Sequence, residues 1–135
     1  MLGAPGETEE TVRETLHFAE HSIRPQDVAF FNVGVRIYPG TELDRIAREE
    51  GVLTLPSHNM LKPVFYLSPK LDLEWLLNEL NEAVSAHMNF IGPDSLKNPF
   101  LPLIQRFGYR LNIKPHLWRY TRYIRRGLRL LGVEA

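Results

Sequence analysis

Residues 1–10, MLGAPGETEE, constrain the fold most, because they combine a glycine–proline turn with the start of a helix. Gly3 and Gly6 bracket Pro5, so the backbone can take a tight turn that residues with a Cβ resist. From Glu7 onwards, acidic and hydroxyl side chains occupy positions that favour a helix N-terminus. We therefore expect the chain to begin inside a β-strand, turn, and enter a helix.

The predicted helix covers residues 8–22, and a buried strand follows it. Apolar residues recur at helical spacing in this segment, at Val12, Leu16, Ala19 and Ile23. Pro25 then ends the helix. Residues 28–35, VAFFNVGV, are nearly continuously apolar, which is typical of a strand covered on both faces in a parallel sheet. Strand, turn, helix and strand together predict one repeating β/α unit.

A second turn, YPGT at residues 38–41, leads into a second predicted helix. Thr41 is placed to cap that helix, and Asp44 occupies its third position, as in a capping box. Gly51 supplies a left-handed stop. Turns at the carboxyl ends of parallel strands are where such folds bind ligands, so this turn is a candidate ligand loop as well as a helix start.

The two turns together carry a family resemblance. GAPGET at residues 3–8, an acidic helix, an apolar strand and YPGTEL at residues 38–43 resemble the last part of the barrel of a radical S-adenosylmethionine (SAM) enzyme. The closest resemblance is to the subgroup that also carries a cobalamin-binding domain, and it covers the first half of the chain. It implies an α/β fold: the C-terminal fragment of a (β/α) barrel followed by a helical extension, mostly helical in isolation.

In that family the glycine-rich turn lies beside the adenine and ribose of SAM, and the next strand adds apolar contacts to adenine. Residues near the end of that strand face the cofactor or the substrate. The residues that the resemblance places in the cofactor site are Gly3, Pro5, Gly6, Glu7, Phe31, Val33, Val35, Arg36 and Tyr38. It assigns no catalytic residue and no metal ligand to this chain.

The chain contains no cysteine, whereas the family holds a four-iron four-sulfur cluster with a C-x-x-x-C-x-x-C loop. We therefore expect the chain alone to bind no cofactor usefully and to be catalytically inactive. In the parent enzyme the resemblance implies SAM, the cluster and, in that subgroup, cobalamin. The expected partner is the missing N-terminal portion of the barrel. Truncation, a split gene and a start codon assigned at an internal methionine would each explain why this portion is missing.

The sequence predicts three segments: barrel units over residues 1–53, a proline-containing linker over 54–68 and a helical extension over 69–135. In the extension, Ser68 is the expected cap of a helix that begins at Pro69 and reaches about residue 89. Its predicted apolar face comprises Leu73, Leu76, Leu77, Leu80, Ala83, Val84 and Met88. A last helix is expected over residues 117–131, after Pro115.

Charge is distributed unevenly along the chain. Residues 1–94 hold 7 Lys or Arg against 15 Asp or Glu, a net charge of −8, and residues 95–135 hold 9 against 1, a net charge of +8. The last helix carries Arg119, Arg122, Arg125, Arg126 and Arg129. We expect it to pack on the acidic half, with Trp118 and Leu128 buried and the arginines loosely paired at the rim. Binding to an anionic membrane is the alternative, and nucleic acid is not expected.

Another alternative function is a non-enzymatic interaction module. Strand 28–35 has no expected neighbour in this chain, and an exposed edge of that kind favours a homodimer or coverage by the chain's own helices. No apolar run is long enough to cross a bilayer, so a cytoplasmic location is expected. His17 and His21, four residues apart on the first helix, could share a metal ion, but we expect two surface histidines because no third ligand is obvious.

Overall fold

The computed structural model describes residues 1–53, 62–93, 106, 110 and 120–130. Its elements in chain order are α1 (Glu9–Ser22), β1 (Ala29–Phe30), β2 (Val35–Arg36), α2 (Glu42–Glu49), β3 (Phe65–Tyr66), α3 (Leu73–Ala86), β4 (Phe90–Ile91) and α4 (Thr121–Leu130). The fold is therefore mixed α/β, and helices make up most of its regular structure. None of the described helices combines the length and apolar character needed to cross a membrane.

The strands form two small sheets. Strands β1 and β4 are parallel, with Ala29 opposite Phe90. Strands β2 and β3 are antiparallel, with Arg36 opposite Phe65. An isolated parallel bridge joins Leu2 to Val33. The chain divides into two compact units, one of residues 1–17 and 32–79 and the other of residues 18–31 and 80–135.

The predicted strand–turn–helix–strand unit is present in part, as one parallel bridge between residues on either side of α1. The Leu2 N–H donates to the Asn32 carbonyl at 2.8 Å, and the Leu2 carbonyl accepts the Gly34 N–H at 2.8 Å. This parallel pairing joins the residues before the first turn to those after α1. Leu2 has no exposed surface, so the bridge lies in the interior of its unit.

The prediction of one continuous strand over residues 28–35 is wrong. The segment forms β1, then the Leu2–Val33 bridge, and only then β2. Gly34 has a φ of 78°, a left-handed conformation that interrupts an extended strand. Each piece pairs with a neighbour within this chain, so the expectation that the strand has no neighbour is wrong for residues 29–36.

A small apolar core organises the first unit. It comprises Ile37, Ala47, Leu53 and Tyr66, with Leu43, Ile46, Val52 and Val64 packed against it. The predicted start and stop of α2 are confirmed: Thr41 accepts the Asp44 N–H at 3.3 Å, and Gly51 has a φ of 73°. In a capping box the Asp44 carboxylate would accept the N–H of Thr41 in return. Here it accepts the N–H of the preceding residue, Gly40, at 2.9 Å.

Residues 65–66 of the predicted linker form strand β3, and Tyr66 is fully buried in this core. The Tyr66 hydroxyl donates a hydrogen bond to Glu50, at the end of α2. Residues 61–67, LKPVFYL, indicate a short extended segment in the sequence, and β3 lies within it, but two residues carry too little periodicity to show which side chain is buried. Residues 54–61 lie outside the described part, and the division into three segments stays a prediction.

Helix α3 begins at Leu73 rather than at Pro69, so that prediction is wrong. The Asp72 carboxylate accepts the Trp75 N–H at 2.8 Å and caps the helix. Ser68 instead donates its hydroxyl proton to the Glu7 carbonyl at 2.8 Å. Most of the expected apolar face is buried, but Leu73 is 50% exposed because it occupies the first turn.

Helix α4 lies within the predicted last helix, but one of its arginines is not at a rim. Arg125 is buried, and its guanidinium donates to the carbonyls of Val84 at 3.0 Å, His87 at 3.2 Å, Met88 at 3.4 Å and Phe90. These carbonyls belong to the end of α3, the following turn and β4. The expectation of loose surface pairing is therefore wrong for Arg125. Trp118 and Arg119 lie outside the described residues, as do the side chains of Arg122, Leu128 and Arg129.

We predict that Arg125→Met costs about 2 to 4 kcal/mol of unfolding free energy, because buried carbonyls lose a charged donor. Arg126→Met is the matched control: Arg126 is exposed on the same helix, and its replacement should change stability by less than about 0.5 kcal/mol. Urea unfolding of both variants measures the difference. Equal stability of the two variants would contradict the buried position of Arg125.

A second prediction concerns Tyr66. Burial and the hydrogen bond to Glu50 raise the pKa of the Tyr66 phenol from 10.0 to about 12. The unfolded chain therefore loses this proton at lower pH than the folded chain, so the stabilising contribution is complete below pH 10 and disappears as pH rises towards 12.

Urea unfolding of wild type and Tyr66→Phe at pH 8, 10 and 11.5 measures this contribution. Other groups that lose protons at alkaline pH are common to both proteins, so their effects cancel in the comparison. We expect the stability of wild type to fall by about 2 kcal/mol more than that of Tyr66→Phe over this range. Parallel pH profiles of the two proteins would show that the pKa of Tyr66 is not raised.

Candidate functional site

The first turn has the geometry that its sequence predicts. The Glu7 N–H donates to the Ala4 carbonyl at 3.1 Å, which closes a four-residue turn over Pro5 and Gly6. Gly6, the third residue of this turn, has a φ of 78°. Proline followed by a residue of positive φ is the pattern of a type II turn, so the two residue types determine its shape.

The Glu7 side chain folds back onto the turn. One carboxylate oxygen accepts the N–H groups of both Gly3 and Ala4, the latter at 2.9 Å. Thr8 then precedes α1, and its hydroxyl accepts the Thr11 N–H at 3.4 Å. Glu7 therefore fixes the backbone of the turn. The sequence indicates an acidic residue near a helix start, but it does not show that this side chain binds the turn before the helix.

Ser68 anchors the turn from the segment that follows β3. Its N–H donates to the Gly3 carbonyl at 3.1 Å, and its hydroxyl donates to the Glu7 carbonyl at 2.8 Å. Ser68 is 1% exposed, so both hydrogen bonds are shielded from water. Sequence reasoning missed this contact because its partners are 61 residues apart and leave no local signal.

Two glycines allow the turn, the Val33 segment and β3 to approach closely. A Cβ on Gly3 would lie 2.6 Å from Leu67 Cδ1 and 3.4 Å from the Gly34 nitrogen. A Cβ on Gly34 would lie 3.2 Å from both Phe65 Cβ and the Tyr66 carbonyl oxygen. Space around Gly6 is open instead, with no atom within 4 Å of such a Cβ.

The predicted adenine contacts are divided between the two units. Val33 is bridged to Leu2, and Val35 is opposite Tyr66 in the ladder of β2 and β3, so both belong to the unit that contains the turn. Phe31 belongs to the other unit, where its ring packs 5.1 Å from that of Phe90. Phe31 is 7% exposed, which makes it a core residue of that unit.

Arg36 and Tyr38 do lie together. The Arg36 guanidinium carbon is 4.9 Å from the centre of the Tyr38 ring, a cation–π contact. Phe65 is opposite Arg36 across the ladder, and sequence reasoning did not include it. In the sequence, Phe65 is one residue of a short apolar run that also contains Tyr66. Such a run does not show which side chain is buried and which faces water.

The described residues contain no group of three or more His, Cys, Asp or Glu side chains that could hold a metal ion. His17 and His21 are both exposed on α1. The candidate site of the first unit is thus a fixed glycine–proline turn beside a half-buried apolar strand. What this arrangement offers a ligand is shape, an apolar wall and the stacked Arg36–Tyr38 pair.

Models of protein families, curated proteins and solved structures were all searched, and none matches this chain. The resemblance to radical SAM enzymes therefore depends on the residues and motifs of the sequence, and it stays a prediction.

Two glycine-to-alanine variants, at Gly6 and at Gly34, separate the stability cost of close packing from that of backbone strain. Gly6 and Gly34 share a φ of 78°, but only Gly34 has neighbours where a Cβ would be. Gly6→Ala should cost about 1 to 2 kcal/mol from strain alone. Gly34→Ala should cost at least about 1 kcal/mol more, because Phe65 and a backbone carbonyl must move. Chemical unfolding measures both, and equal losses would contradict the described approach of β3 to Gly34.

Proposed function

We propose that residues 3–7 bind the adenine and ribose of SAM, and that the chain is the C-terminal part of a radical SAM barrel with a helical extension. The observation that best supports this is the parallel pairing of Leu2 with Val33 on either side of α1. In α/β folds the loops that follow parallel strands bind ligands. Residues 3–7 form such a loop, since they directly follow Leu2.

The residues of the turn fit a nucleoside. Pro5 and Gly6 are exposed at its tip, and the open space around Gly6 lets a planar ring or a ribose approach the backbone. Val33, half-buried beside Leu2, supplies an apolar surface. Glu7 holds the turn in place through the Gly3 and Ala4 amides, so its role in the proposal is to preform the loop.

The cluster is not assigned to this chain, because its 135 residues contain no cysteine to hold it. When bound in the parent enzyme, the cluster supplies the electron that cleaves SAM. The proposed contribution of this chain is to position the nucleoside and shield it from water. The N-terminal portion of the barrel is the proposed partner, the location is cytoplasmic, and no residue is assigned to cobalamin.

The structure bears differently on the two other hypotheses. The proposed homodimer depended on an unpartnered strand, but β1, Val33 and β2 each pair within the chain. The anionic-surface hypothesis needs exposed arginines on the last helix. Arg125 is buried among carbonyls, whereas Arg126 is exposed. Both hypotheses therefore stay alternatives to the proposed function.

The proposal predicts weak, localised binding of S-adenosylhomocysteine. Because the chain would hold only part of the pocket, we expect a millimolar dissociation constant, with amide shifts confined to residues 2–8 and 33–35 in NMR spectra. Gly6→Asn should abolish these shifts, since asparagine tolerates positive φ and adds a side chain where the ligand approaches.

Gly40→Asn is the matched control. Gly40 has a φ of 76° and open space where a Cβ would be, with no atom within 4 Å, but it lies in the second turn. Its replacement should leave the shifts of residues 2–8 unchanged. Shifts spread over unrelated surfaces, or equal effects of the two variants, would contradict the proposal.

A further inference from the structure

Helix α4 has a packed side and an outward side. Arg125 is 5% exposed and donates to carbonyls at the end of α3, and Ile124 beside it is half-buried. Tyr123 and Leu130 are instead 70% and 83% exposed. At about 100° per residue, these two lie close together on the helix circumference and about 140° to 160° from Arg125. The side of α4 opposite the buried arginine therefore faces solvent.

This outward side carries a continuous strip of apolar surface. Tyr120, Tyr123, Gly127 and Leu130 follow one another at steps of three, four and three residues, which aligns them along one face of the helix. Tyr120 is 45% exposed, and a Cβ on Gly127 would have no atom within 4 Å. These four residues, called here the Tyr123 face, present two aromatic rings and a leucine to solvent.

Positive charge accompanies the Tyr123 face. Arg126 is exposed and lies three residues after Tyr123. The sequence of α4, TRYIRRGLRL, contains four arginines and no acidic residue. The unit that includes it, residues 18–31 and 80–135, holds 10 Lys or Arg against 5 Asp or Glu, a net charge of +5. An anionic partner is therefore attracted to the unit that bears the face.

We propose that the Tyr123 face binds the surface of a membrane that contains anionic lipids, with α4 lying along the interface. Tyrosine suits this position, because its ring is apolar and its hydroxyl stays hydrated. Leu130 adds apolar surface that the acyl boundary can cover. The exposed guanidinium of Arg126 pairs with lipid phosphate or carboxylate groups. With 10 residues, α4 is suited to lie on a membrane and not to cross it.

Charge and area both favour a membrane over a protein partner. Two copies of α4 would bring arginine-rich helices together, so like charges oppose a homodimer through this face. The exposed side chains of a helix about 15 Å long offer roughly 400 Å² of surface. A stable protein interface needs about 800 Å² from each partner. A membrane needs no such area, because attraction of several basic residues adds to a small apolar contact.

Arg125 prepares the face for binding. Its hydrogen bonds to Val84 and His87 hold the packed side of α4 on the end of α3, so the outward side is already displayed by a folded helix. Binding then has no folding of α4 to drive. The inference goes beyond the proposed nucleoside function, uses no residue of the first turn, and gives the anionic-surface hypothesis a defined face.

Sedimentation of the full chain with sucrose-loaded vesicles tests the proposal. The vesicles contain phosphatidylcholine alone or with about 30% phosphatidylserine, and we expect binding to the anionic vesicles to be at least about tenfold tighter. Raising NaCl from about 0.1 M to about 0.5 M should weaken it. Tyr123→Ser should weaken binding about tenfold, and Tyr123→Trp should retain it. Arg126→Gln should weaken binding to the anionic vesicles about fivefold.

Phe18→Ser is the matched control. Phe18 is 68% exposed in the same unit, but α1 carries four glutamates and one arginine, which an anionic surface repels. It should leave binding unchanged, and melting temperatures show that each variant is folded. Equal effects of Tyr123→Ser and Phe18→Ser, or equal affinities for the two kinds of vesicle, would overturn the proposal.

Light scattering tests the competing occupant of the face. A dimer that Tyr123→Ser dissociates, together with absence of vesicle binding, would overturn the proposal in favour of a second copy of this chain. A monomer that binds anionic vesicles supports the membrane. Gly6→Asn should leave vesicle binding intact, so the Tyr123 face and the proposed nucleoside turn can fail separately.

Discussion

The backbone pairing of Leu2 supports the rest of the first unit. Its N–H and carbonyl are both used, by Asn32 and Gly34, and its side chain is fully buried. Since side chains alternate along a strand, a slip of one residue would turn Leu2 outwards and move every following residue of the turn. The hydrogen bonds of Ser68 to Gly3 and Glu7 then hold the turn in the position that this register sets.

Local signals predict the elements whose causes lie within a few residues. Helix α1 follows from its apolar spacing, and α2 from Thr41 at its start and Gly51 at its end. The turn at residues 4–7 follows from proline and glycine at adjacent positions. Each of these elements is determined by a backbone preference or by a helix cap, and both can be recognised in the sequence.

Contacts between distant segments cannot be predicted in the same way. In the sequence, Arg125 cannot be distinguished from the other arginines of the last helix. In the structure its guanidinium donates to carbonyls at the end of α3 and in the turn that follows it. The ring of Phe31, which the family resemblance places beside adenine, packs against Phe90, in a strand that the sequence did not predict. Phe65 becomes part of a candidate site only through its register with Arg36. Apolar spacing shows that a residue is suited to burial without showing what it meets.

Amide hydrogen exchange at Leu2 and Gly34 tests the central claim most directly, because both N–H groups donate across the parallel bridge. The amide of Gly6, at the exposed tip of the same turn, is the internal reference. We expect Leu2 and Gly34 to exchange only through opening of the whole unit, and therefore far more slowly than Gly6. Exchange of Leu2 and Gly34 as fast as that of Gly6 would show that Leu2 is not paired with the segment after α1, and the proposed ligand turn would lose its support.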